Sequence, residues 1–109
     1  MLFIVKTKAD RKTIEKAAKD LEGYIKFVAD IEKGIIIIGG LRHVDGEQLL
    51  LKEGSRQENL WGGGFDLETG ETDFDSMINI RPNQGNNSRE VLSEDIRKKI
   101  GDIINKFLR

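Results

Sequence analysis

The chain has 109 residues, 38% of them apolar and 34% charged, with 18 Lys plus Arg against 19 Asp plus Glu and no cysteine. That length predicts one domain, residues 1–109, whose core buries roughly two thirds of the unfolded surface. Near-neutral charge excludes a global attraction to nucleic acid or anionic lipid, and the lack of cysteine excludes disulfides and thiolate metal sites. No apolar run, the isoleucines at 35–38 included, is long enough to cross a bilayer. The apolar residues 1–5 have no basic lead and no small-residue cleavage site, so they read as a strand rather than a signal peptide, and the expected location is the cytoplasm.

Residues 2–6 read as a buried first strand. Thr7 and Asp10 are candidate caps for the helix that follows. In it Ile14, Ala17, Ala18 and Leu21 share one face, Lys12, Glu15, Lys16 and Lys19 the other, and Gly23 marks a left-handed exit. Residues 24–31 alternate, with Ile25, Phe27, Ala29 and Ile31 on one side and Lys26, Val28 and Asp30 on the other. Glu32-Lys33-Gly34 is a tight connection into residues 35–38, all isoleucine, which suit a strand covered on both faces.

Asp45-Gly46-Glu47-Gln48 has the form of a capping box. It predicts a short helix from Asp45 through three leucines, closed by Gly54, with a strand over 47–52 as the alternative. Residues 60–66 and 72–81 read as arms of a second hairpin joined by 67–71. On the second arm Phe74, Ser76, Ile78 and Ile80 share one face, and Asp73, Asp75, Met77, Asn79 and Arg81 the other. Gly62-Gly63-Gly64 weakens the first arm or lets another group approach its backbone, and Pro82 stops the second. Ser93 caps a last helix whose apolar stripe is Ile96, Ile100, Ile103, Ile104 and Phe107. The expected fold class is α+β: a two-layer sandwich with a mostly antiparallel sheet of about five strands and two main helices, near 9–22 and 95–108, on one face.

Functional chemistry concentrates between Ser76 and Arg89. Asn79 and Arg81 fall on one side of the expected strand, Gln84, Asn86 and Ser88 add donors in the connection, and Gly85 permits a sharp turn. Amides and a guanidinium near a helix start suit phosphate or carboxylate. The structural alternative is a connection in which Asn and Ser side chains satisfy local backbone groups. His43 is the lone histidine. With Glu58 or Asp45 it would make a general base, while one histidine without cysteine argues against a tight zinc site. Trp61 offers a stacking surface for a ligand, against the commoner role of filling a core edge and hydrogen-bonding through its indole N–H.

Asp30-Ile31-Glu32-Lys33, Gly39-Gly40, His43, Asp45, Gly54-Ser55, Gln57-Glu58, Trp61-Gly62 and the stretch from Ser76 to Ser88 form a set. On these residues the chain resembles an uncharacterised prokaryotic family catalogued as a domain of unknown function, over about positions 24 to 108. The resemblance implies no activity, substrate or cofactor. Three functions remain open from the residues. The first is a binding module holding a small anionic or polar ligand with Asn79, Arg81, Gln84, Asn86, Ser88 and Trp61. The second is a small enzyme using His43 with Glu58 or Asp45. The third is an interaction protein that pairs with a second copy of itself. Nucleic acid and membrane are not expected partners.

Overall fold

The structure, a computed structural model, describes residues 1–109. Five strands form one sheet: β1 (Leu2–Val5), β2 (Tyr24–Asp30), β3 (Ile35–Gly39), β4 (Leu60–Asp66) and β5 (Thr72–Asp73). Their order is β1-β3-β2-β4-β5 and every pairing is antiparallel. Three helices complete the α+β fold: α1 (Arg11–Ala18), α2 (His43–Lys52) and α3 (Glu94–Phe107).

The alternation in β2 sorts the sheet into two faces. Ile25, Phe27 and Ala29 join Ile36, Ile38, Trp61 and Phe65 in the larger core, closed by Ala17 and Ala18 of α1 and Ile100, Ile103, Ile104 and Phe107 of α3. Of the two cap candidates for α1, Asp10 does the work, accepting from Thr13 N–H at 2.8 Å. Ser93 caps α3 through Ile96 N–H at 3.2 Å, and Glu94 and Asp95 complement its positive end.

The opposite face is also covered. Residues 47–52 are helical, and α2 begins at His43, two residues before the expected cap. Asp45 lies in its first turn, ion-paired with Arg42 at 3.0 Å. Leu50 packs on Val28, Ile37 and Leu60, so the isoleucine strand is buried on both sides as its composition predicts. Gly46 lets the helix come close, since a Cβ there would stand 3.1 Å from Ile37 and 3.4 Å from Val28.

The second hairpin departs from expectation. Only Thr72–Asp73 of residues 72–81 is strand, and Phe74 and Ile78, expected on one face, pack on opposite cores. The chain turns away because residues 74–76 bond to 89–91: Ser76 N–H donates to the Arg89 carbonyl at 3.0 Å and Val91 N–H to that of Phe74 at 3.1 Å. A 3-10 turn, Met77–Asn79, follows, capped by Ser76, and a second, Pro82–Gln84, ends at Gly85 with φ +72°. The edge of β4 beyond β5 is met by side chains.

Candidate functional site

Asn79 is fully buried. Its Oδ1 accepts from Gly62 N–H at 2.9 Å, while its Nδ2 donates to the carbonyls of Gly62 (2.9 Å), Phe74 (3.1 Å) and Arg89 (2.9 Å). Asn86, also buried, repeats the device. Its Nδ2 serves the carbonyls of Asn79 (2.9 Å), Ser88 (3.0 Å) and Glu90 (2.9 Å), and its Oδ1 accepts from Leu92 N–H at 2.9 Å. Each amide has two hydrogens for three carbonyls, so one is shared. Ser88 Oγ accepts from Glu90 N–H at 3.0 Å, and Gln84 Nε2 donates to the Glu58 carbonyl at 3.1 Å. These side chains tie the main chain together, the structural alternative raised for this stretch.

Arg81 is buried too. Its Nη2 donates to the Leu60 carbonyl at 2.5 Å, its Nη1 to that of Gln57, and its guanidinium lies 3.9 Å from the Trp61 ring centroid. Burial lowers its pKa from the ordinary arginine value, and the Glu47 carboxylate opposes that shift. Trp61 fills the core as expected, but its indole N–H has no acceptor. Glu47 Oε2 and Arg81 Nε are likewise buried without partners. No cavity is lined by Asn79, Arg81, Gln84, Asn86, Ser88, Trp61 or Glu58.

His43 stands elsewhere. It opens α2 and crosses the middle of β4, where its Nε2 lies 2.7 Å from the Gly63 carbonyl. A carbonyl only accepts, so Nε2 carries the proton, and in the neutral ring Nδ1 keeps its lone pair. Nδ1 has no partner in the protein and is not sealed from solvent. Burial lowers the imidazole pKa from 6.5; the Gly63 hydrogen bond opposes this, and the nearby Lys26 charge adds to it. The bare backbone of Gly62 makes room, since a Cβ there would lie 2.8 Å from Ser76 and 3.0 Å from His43 Cδ2. The glycine run thus admits side chains against β4, one of the roles its composition allowed. Glu58 is exposed and pairs with Arg56 at 3.2 Å, and Asp45 pairs with Arg42, so neither forms the expected dyad with His43.

A cleft of about 360 Å³ lies beside the imidazole, lined by Tyr24, Lys26, Arg42, His43, Val44, Asp75, Ser76, Met77, Ile78 and Arg89. Three cations face one carboxylate there. Arg42 pairs with Asp45 and Arg89 with Asp75 (2.9 Å), whereas Lys26 makes no ion pair. Tyr24 Oη donates to Asp73 Oδ2 at 2.6 Å. Val44 and Met77 are apolar and exposed. Of the residues expected to act, this cleft gathers only His43. Sequence reading placed Lys26 on the face of β2 that carries Val28 and Asp30 but had no means of bringing it to His43, because β2 and α2 meet only through the tertiary fold. The buried amides bear on the cleft indirectly: Asn79 anchors the carbonyls of Phe74 and Arg89, which flank the 75–78 wall.

No group of three or more His, Asp or Glu side chains is arranged to hold a metal ion, and no helix is long and apolar enough to cross a membrane. No curated protein and no solved structure matches the chain. Residues 3–107 match the model of a family described as "Protein of unknown function (DUF5674)". The match spans nearly the whole sheet and all three helices, and the chain belongs to that family.

Proposed function

We propose that the protein is a binding module for a small anionic ligand, taken up in the cleft between β2, the start of α2 and the 75–78 loop. The carrying observation is Lys26, a half-buried residue that lines the cleft and makes no ion pair. A cation so placed lacks the internal counter-charge that Arg42 and Arg89 have, and an incoming anion supplies one. The cleft volume of about 360 Å³ lies at the small end of ligand sites. In this reading Asn79, Arg81 and Asn86 hold the wall in place, while Lys26, His43 and the rim residues meet the ligand. Calorimetric titration with small carboxylates and inorganic phosphate tests it. Binding that weakens at least about tenfold in Lys26→Ala supports the module. Equal binding by the two proteins, or none by either, removes it.

A catalytic role for His43 is the second reading, favoured by an imidazole that lines the cleft, with its tautomer fixed and its other nitrogen unpartnered. NMR of a bound ligand incubated with protein tests this. Turnover lost in His43→Ala with affinity retained supports it, and an unchanged spectrum of the ligand rejects it.

A further inference from the structure

We infer that the ligand of this cleft is a small aliphatic hydroxy acid, its carboxylate on Lys26 and its hydroxyl donating to His43 Nδ1; this rests on the binding-module reading above. The cleft offers one unpaired cation, because the Arg42 and Arg89 guanidinium groups are engaged by Asp45 and Asp75. One ammonium matches a monoanion. A phosphate dianion is best served by free guanidinium forks, whereas here Asp45 takes the Arg42 fork through Nε and Nη2 and Asp75 holds Arg89 through Nε. The Gly63 carbonyl fixes the Nε2–H tautomer, so Nδ1 is the acceptor of a ring that lines the cleft, and an acceptor selects a ligand that donates. An ammonium donor would enter beside Lys26, Arg42 and Arg89 against like charge, whereas a hydroxyl donates at no electrostatic cost. Val44, Met77 and Ile78 supply an apolar wall for a short branched chain. The charged groups around the ring are Lys26 from β2, Asp73 from β5, and Asp75, Arg42 and Arg89 at the cleft.

The test is calorimetric titration of the full chain with 4-methylpentanoate, its 2-hydroxy and 3-hydroxy derivatives, and inorganic phosphate. One hydroxy acid is expected to bind about tenfold tighter than the parent acid, the worth of one added hydrogen bond. That preference should vanish in His43→Phe, whatever the affinity of the variant for the parent acid. In the unaltered protein the methyl ether of that hydroxy acid, which cannot donate to a lone pair, should bind no tighter than the parent acid, and an ether that binds as tightly as the hydroxy acid overturns the hydroxyl contact. The ether arm keeps the test valid if the variant does not fold. Equal affinity for parent and hydroxy acids overturns the ligand class and leaves the anion cleft standing. Tighter phosphate binding does the same. If no anion binds, both fall together.

Discussion

Asn79 meets Gly62 as a neighbouring strand residue would, its amide oxygen on the Gly62 N–H and its amide nitrogen on the Gly62 carbonyl, each at 2.9 Å. Asn79→Ala leaves the Gly62 N–H and carbonyl without their side-chain partner, and takes one of two donors from the Phe74 and Arg89 carbonyls, which keep the Val91 and Ser76 N–H groups. A loss of about 3 kcal/mol or more in urea unfolding is expected, together with faster exchange of the Gly62 amide hydrogen. A loss below about 1 kcal/mol would mean that solvent reaches this edge.

Arg81→Lys should destabilise by about 2–4 kcal/mol although charge is kept. A single ammonium cannot reach the Gln57 and Leu60 carbonyls as a fork and also lie flat on Trp61. Trp61 is the only tryptophan, so its fluorescence in the folded state reports the loss of the stacked cation. An unchanged emission spectrum and midpoint would contradict the role given to this pair.

Gly62→Ala puts a methyl group 2.8 Å from Ser76 and 3.0 Å from His43 Cδ2. Destabilisation of about 1–3 kcal/mol is expected from overpacking. The imidazole, pushed off the Gly63 carbonyl, should show altered ring proton shifts in NMR. Wild-type shifts in this variant would show that the ring does not cross the strand here.

Stability should fall at both ends of the pH range for identifiable reasons. His43 is held neutral by burial, its pKa below 6.5. As pH falls below 6.5 the unfolded chain takes up the proton first, so this contribution is lost down to the folded value and then levels off. Tyr24 behaves in the opposite sense. Burial and the Asp73 carboxylate raise its pKa above 10.0, so the unfolded phenol ionises first and stability declines as pH rises past 10. Melting curves against pH should show a shallower acid slope in His43→Gln and a shallower alkaline slope in Tyr24→Phe. Parallel curves for variant and parent would count against each assignment.

Much of the fold was legible because it follows from local periods. The alternation of Ile25, Phe27 and Ala29, the isoleucines of β3, and the stripe from Ile96 to Phe107 each place their faces correctly. Residues 74–80 misled because Phe74, Ser76, Ile78 and Ile80 keep a strand's alternation while their backbone partners lie at 89–91, a pairing that no local pattern reveals. Asn79, Arg81 and Asn86 stood out in the sequence, yet amides that bind a ligand and amides that bind a carbonyl look alike until burial is known. Lys26 escaped notice for the converse reason: one lysine on a mixed strand carries no signal until α2 brings His43 beside it.

The sealing of β4 by Asn79 and Arg81 carries a consequence for synthesis. The groups that close this flank come from the last third of the chain, as does α3. While the ribosome is still making that portion, a nascent chain that has paired β2 with β4 offers bare carbonyls and the indole of Trp61 to any passing strand. Prematurely terminated products should therefore be sticky where the finished protein is not.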